Sequence, residues 1–239
     1  MKNLLCYHFK VYLKSNKLLL PFLIYLIYLF TAYSIMPYAI VSSFSESAGV
    51  IFFIMTFVGF SYSELENPVT EQLVLLKVQN DNLYYLSRII VLAIVGVIMS
   101  VIGILYPVIG NIYNYAHLFT RSLILSDIVF GFVLHCTMGL LGALTGSLFH
   151  PRIIKNRKIA ILLVFFTAVL AIAKGALIKE VPSMDFITWI FPPVYDVLVT
   201  LTGCEFFSLQ ALVMPFLWGL IYGTVLMMMQ LHFLKKNKF

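Results

Sequence analysis

The chain of 239 residues is 62% hydrophobic and only 11% charged, with a net charge of +6. Soluble domains average roughly 45–50% apolar and about 25% charged residues, so this much apolar surface cannot be hidden in one globular core. A water-soluble fold is excluded, and an all-α membrane protein forming a single transmembrane domain over residues 1–239 is expected.

Residues 1–17 read as an interfacial helix. At about 100° per residue, Lys10, Lys14 and Lys17 fall on one stripe while Leu5, Phe9, Tyr12 and Leu13 fall opposite, the pattern of a helix lying among lipid headgroups. The alternative is an ordinary basic flank that only orients the first span. An elbow at Ser15-Asn16 leads into a first apolar run, Leu18 to Ile40, too long for a signal-peptide core and without a small-residue cleavage site, so it is expected to be retained. A span needs about 20 apolar residues. Beyond the first run, Ser47 to Ser63, Ile89 to Gly110, Asp127 to Phe149, Ile159 to Ile178 and Leu212 to Leu234 qualify, the run from Ser47 being the shortest.

Between the second and third runs lies a charged stretch that reads as a short helix over residues 68–78. Asn67 is placed to cap it, Pro68 suits its first position, and Glu71 in the first turn favours the positive end of the helix dipole. Val69, Leu73 and Leu76 share one face, Val74 and Val78 point roughly the other way, and Leu75 lies between. A helix apolar on more than one side has one face for the protein's own spans and another for a partner. Asn80-Asp81-Asn82 is expected to end it, and Leu83 to Leu86 to climb back into the third run through the pair Tyr84-Tyr85.

Asp127 and His135 are the candidate intramembrane polar residues of the fourth run, as a proton relay or as an edge carboxylate and a hydrogen-bonded core histidine. Gly142 with Gly146, extended by Gly139 and Ala143, and Gly219 with Gly223 are small-residue pairs that let helices approach closely. Met227-Met228-Met229 reads as packing, not a metal site. Cys6, Cys136 and Cys204 share neither compartment nor depth, so no disulfide and no zinc site is expected.

Orientation follows from the cations, because cytoplasmic loops carry the excess of Lys and Arg. With the amino terminus inside, Lys2, Lys10, Lys14, Lys17, Lys77, Arg88, Arg152, Lys155, Arg157, Lys158, Lys235, Lys236 and Lys238 are cytoplasmic, thirteen of the sixteen. Arg121, Lys174 and Lys179 fall outside, with Lys174 expected to snorkel to the interface. Both termini and residues 151–158 are then cytoplasmic, and residues 111–123 and 179–210 external. These cations flank spans and do not line one face, which speaks against nucleic acid as a partner.

The chain holds no phosphate-binding Gly-x-x-x-x-Gly-Lys-Ser/Thr loop, no His-Glu-x-x-His motif, no Gly-x-Ser-x-Gly elbow and no Cys-x-x-Cys pair. It is not expected to be an enzyme, and no cofactor or metal is expected to bind to it.

The layout of an elbow helix, six spans, a short helix between the second and third, and a broken apolar segment before the last resembles the permease subunits of type-2 ATP-binding-cassette exporters. In that family a charged run followed by Thr-x-Glu-Leu-Leu forms the coupling helix that docks into the ATPase subunit. The matching residues are Glu64, Glu66, Thr70, Glu71, Leu73 and Leu75, with the family's usual arginine missing and the Thr-to-Glu spacing one residue short. The resemblance implies a permease dimerised with itself or a relative, a separate ATPase subunit holding ATP and Mg, and outward movement of a hydrophobic or amphipathic cargo across the plasma membrane. Peptide ranks first, ahead of lipids, lipid-linked glycans and lipophilic drugs; a non-transporting sensor or immunity partner is the other reading. Glu71, Val74, Leu75, Lys77 and Val78 are assigned to the ATPase groove, and Val69, Leu73 and Leu76 to packing on the spans, the reverse assignment being left open by the sequence. The family also implies that residues 180–210, containing Trp189, Phe191, Pro192, Pro193 and Tyr195, form a re-entrant helical pair entering from outside; the alternative is a hairpin lying flat on the lipid.

Overall fold

The computed structural model describes residues 1–236, apart from the side chains of Gln210, Ala211, Met214 and Pro215; Lys238 lies outside the described residues. Its elements are α1 (Lys2–Lys14), α2 (Leu19–Ala32), α3 (Ile40–Ser63), α4 (Pro68–Val78), α5 (Asp81–Tyr113), α6 (Leu125–Ser147), α7 (Arg157–Glu180), a single 3-10 turn (Pro182–Met184), the short α8 (Asp185–Thr188) and α9 (Val194–Val199), and α10 (Leu209–Lys236). Five of these helices, α3, α5, α6, α7 and α10, are long and apolar enough to cross a membrane, and α1 with α2, bent by 72°, adds a sixth if the pair is one span. At the bend the Ser15 hydroxyl donates back to the Tyr12 carbonyl at 2.6 Å, and Asn16 takes a left-handed φ of 56° that asparagine tolerates.

Two of the expected spans have different limits. The first run is helical only to Ala32, 14 residues or about 21 Å, short of a ~30 Å hydrocarbon layer. Pro37 biases Met36 toward extended backbone, and the chain leaves the helix to pair with the loop after α5: Tyr38 N–H donates to Leu118 O at 2.9 Å, and Thr120 N–H to Tyr38 O at 3.0 Å. The second run begins seven residues earlier than expected, at Ile40 against Ser47, and its helix is the most buried of the long ones. Its serines hid it. Ser43, Ser45 and Ser47 lower the hydropathy, yet the hydroxyls of Ser43 and Ser45 donate to carbonyls of their own helix, Ile40 at 2.9 Å and Val41 at 2.7 Å, and that of Ser47 reaches His135 Nε2 at 2.8 Å, so burial leaves none unsatisfied. The break before the third run is tighter than expected: Gln79 alone turns left-handed, Asn80 accepts from Leu83 N–H at 3.0 Å, and Asp81 is already helical.

α3 is the axis of the bundle, packed against α6 most closely and also against α2, α5, α7 and α9. Small residues make this possible: a Cβ on Gly142 or Gly146 would collide with the carbonyl oxygens of Phe52 or Thr56, and one on Gly59 with that of Ala143. Gly219 and Gly223 meet only side chains of α6, at 3.3 Å or more. Both glycine pairs therefore serve packing within this chain. At one end of the bundle Lys17 donates to Ser61 O and Glu64 O, and Arg157 pairs with Glu64. α1, the end of α3 and the start of α7 gather there, at the basic end of the molecule.

After α7 the chain folds back alongside the helices. The Phe191 ring meets that of Phe166, and the Tyr222 hydroxyl donates to Ile190 O at 2.5 Å. Phe166 is fourteen residues from the end of α7 at Glu180, so the tip of this segment lies about 21 Å along that helix. α9 then climbs back, with Val194 and Val197 buried, the Tyr195 ring filling the space above Gly175, and Asp196 paired with Lys174.

Replacing Gly146 by leucine is expected to destabilise the protein by more than the ~1–3 kcal/mol of ordinary overpacking, because backbone of α3 must retreat, whereas alanine at Gly223 costs little. Thermal unfolding in detergent of the two variants side by side measures the difference.

Candidate functional site

The helix α4 forms as its sequence dictates. Asn67 accepts from Val69 N–H at 3.1 Å, Pro68 occupies the first turn where no donor is needed, and Gln79 closes the other end with its N–H on Leu75 O at 2.9 Å. How it packs is the reverse of the expected assignment. Glu71 is 2% and Leu75 8% exposed, turned toward the bundle, whereas Val69, Leu73 and Leu76 are 62%, 64% and 73% exposed. Val74 and Val78 are half-buried and Lys77 is exposed. Leu75 and Val74 pack with Tyr84, Tyr85, Ile153, Leu231, Leu234 and Leu4, side chains of α5, the loop after α6, α10 and α1.

The physical reason is charge. The Glu71 carboxylate meets Arg88 Nη1 at 3.1 Å, and Arg152 reaches the same oxygen. Arg88 also donates to the carbonyls of Tyr62 and Ser63, each at 3.4 Å, and its guanidinium lies over the rings of Tyr62 and Tyr84, 5.5 and 5.9 Å from their centroids. Arg152 donates to the Tyr85 hydroxyl at 3.0 Å. Beside this group Glu66 accepts from the Tyr84 hydroxyl and pairs with His8 Nδ1 at 3.4 Å. Two carboxylates, Glu66 and Glu71, thus balance two guanidiniums, Arg88 and Arg152, in a site walled by tyrosines. A buried carboxylate aimed at two arginines cannot instead face a partner's groove without leaving both cations uncompensated.

Burial alone would raise the Glu66 carboxyl, but the hydrogen bonds from His8 and Tyr84 and the charge of Arg88 outweigh it and hold the group down to about 2. His150, whose Nδ1 accepts from Arg152 N–H at 3.2 Å, is pushed well below its ordinary value by burial and then by the charges of Arg88 and Arg152. Sequence reading missed this cluster because it treated Arg88 and Arg152 as orientation signals. The available sign was the acidic run Glu64, Glu66 and Glu71 on the side assigned the excess of Lys and Arg.

The other candidates stand apart from this site. Asp127 is fully buried in a fork with Arg121, at 2.7 and 2.9 Å, and accepts from Ile124 N–H at 3.2 Å, closing the first turn of α6. Arg121 also donates to Glu205 O at 3.0 and 2.8 Å and lies 4.0 Å over the Phe206 ring, so Asp127 helps tie two connections to the start of α6. His135 donates from Nδ1 to Gly131 O at 2.7 Å, which leaves Nε2 to accept from the Ser47 hydroxyl at 2.8 Å. Both ring nitrogens are satisfied, and among the described residues no chain of hydrogen bonds connects His135 to Asp127 two turns away. Lys174 does not snorkel outward; it is 8% exposed and held by Asp196 at 2.8 and 3.0 Å. In the segment before α10, Pro192 is buried, Phe191, Pro193 and Tyr195 are half-buried, and Trp189 is 75% exposed.

Breaking the Glu71 pair with alanine is expected to cost ~3–5 kcal/mol of stability, the usual penalty for stranding a buried charge, read as a lowered unfolding midpoint. The cluster also sets a pH dependence. The unfolded chain protonates His150 below about 6.5 and the folded chain resists, so stability falls as pH drops through that value. The contribution of Glu66, complete above about 4.3, is lost as pH falls toward about 2. In unfolding midpoints taken across that range, His150→Asn should flatten the upper part of the profile and leave the lower.

No known protein family, curated protein or solved structure matches this chain.

Proposed function

We propose that this chain is the membrane-spanning permease subunit of an ATP-driven exporter, with α4 as the helix that receives force from a separate ATPase subunit. The observation that carries the reading is the two-sidedness of α4. One side is locked to α3, α5 and the loop after α6 by the Glu71, Arg88 and Arg152 cluster, and the other presents Val69, Leu73 and Leu76 with no apolar cover from the described residues of this chain. A helix so anchored transmits a push to the helices that hold it, and its open apolar face is chemistry suited to a groove.

On this reading the basic end is cytoplasmic, both termini lie inside, and the protein resides in the plasma membrane as a homodimer or paired with a relative. ATP and Mg are bound by the ATPase subunit. Closure of the ATPase pair moves α4, and the bundle shifts between inward-open and outward-open packings. The segment from residue 180 to residue 210 is re-entrant from the outer face, supported by the contacts of its tip with Phe166 and Tyr222. The cargo is hydrophobic or amphipathic, with peptide first. The buried charges near the helices, in Arg121 with Asp127 and Lys174 with Asp196, are already paired and offer little to a small ion.

The docking face is thus Val69, Leu73 and Leu76, and the test is built on it. Burying a leucine is worth ~1.5–3 kcal/mol and each 1.4 kcal/mol is tenfold in affinity, so Leu73→Asp with Leu76→Asp should weaken association with the ATPase subunit at least about hundredfold. Insertion and the unfolding midpoint should stay near wild type, because both side chains are exposed. Co-purification with a candidate ATP-binding-cassette ATPase subunit reads the result. Undiminished co-purification and transport by the double variant would remove α4 from the mechanism.

A further inference from the structure

A cavity of about 800 Å³ opens between α6, α7, α9 and α10. Its walls are almost wholly apolar, and along α10 they run from Trp218 to Met229, eleven residues or about 16 Å. That is close to half of a ~30 Å hydrocarbon layer, the depth of one leaflet. α7 and α10 are the least buried of the long helices, so the cavity borders the surface that meets lipid.

Its one buried charge lies toward the end away from the basic cluster. The Lys174 ammonium, its side chain 9% exposed, lines the cavity and is bonded to both oxygens of Asp196. An ammonium has three N–H donors, and its contacts to the described residues, both on Asp196, use two of them, leaving a third at the wall of a mostly apolar cavity. The Asp196 carboxylate already neutralises the ammonium, so the missing partner is a neutral oxygen acceptor more than a second anion. A long, mostly apolar slot of one-leaflet depth with an ammonium donor toward one end matches an acyl chain ending in an ester.

We propose that this cavity holds one acyl chain of a membrane glycerophospholipid, with the ester carbonyl of that chain accepting from Lys174. The site stands independently of the exporter reading, since it needs only a bilayer. The lipid would fill the space that α6, α7, α9 and α10 leave beside their direct contacts.

The chain's two tryptophans, Trp189 and Trp218, both line the cavity, so intrinsic fluorescence reports on it directly. Phosphatidylcholine brominated on its acyl chains, titrated into protein held in a large excess of detergent micelles, should quench that fluorescence saturably, with a stoichiometry of about one lipid per chain. Unbrominated phosphatidylcholine should compete the quenching away, and phosphatidylglycerol should compete about equally well. Filling the slot with Val225→Phe and Thr167→Phe should weaken the quenching at least about tenfold. Quenching that rises linearly without saturation, that no unbrominated lipid relieves, or that is more than about tenfold more sensitive to phosphatidylglycerol would overturn the assignment. The competition in the wild-type chain decides the matter even if the filled variant does not fold.

Discussion

The carboxylate of Glu71, held between Arg88 and Arg152, is the contact on which the arrangement of the basic end depends. Each of these groups is expensive to bury alone, and together with Glu66 they form a set whose charges cancel. Because Glu71 belongs to α4, Arg88 to α5 and Arg152 to the loop after α6, satisfying the charges fixes three separate parts of the chain relative to one another. Tyr62, Tyr84 and Tyr85 complete the site with ring faces and hydroxyls, and His8 brings in α1. The orientation of α4 is then set, since turning Glu71 inward turns Val69, Leu73 and Leu76 outward.

The opposite end is fixed by a similar device. Arg121 joins the start of α6 to the connection before α10 through Asp127 and the carbonyl of Glu205, and Lys174 joins α7 to α9 through Asp196. Between the two ends α3 and α6 touch backbone to backbone at their glycines and Ala143. At those points no side chain separates the two helices, so a displacement imposed at the basic end is passed along the pair with little absorbed. On the proposed reading that stiffness is what lets force applied to α4 reach the far side.

Much of this was legible in the residues, and the misses share a cause. Asn67-Pro68 and Asn80 announced helix starts through backbone chemistry that acts locally, and they appear where that chemistry puts them. The long apolar helices followed from hydropathy, which also acts residue by residue. Hydropathy failed at α3, where serines that bond their own helix carbonyls look polar in sequence and are satisfied in the fold, and at α2, where pairing between Tyr38 and the distant Leu118 to Thr120 ends the helix early. The facing of α4 was not legible because periodicity gives faces without saying which one is inward. That was decided by Arg88 and Arg152, 17 and 81 residues further along the chain, and no local pattern encodes such a partnership. The cavity is equally invisible in sequence, being bounded by side chains from four helices.

The anchoring of α4 is best tested by amide hydrogen exchange over residues 68–78 in the intact protein. A helix hung in solvent exchanges within about tenfold of an unstructured peptide, whereas one that opens only when its charge cluster breaks is protected far more strongly. These amides are expected to exchange at least about a hundredfold slower than free peptide, and Arg88→Gln to remove that protection while the middle of α3 stays protected. Rapid exchange in the wild-type chain, or protection unchanged by the loss of Arg88, would contradict it.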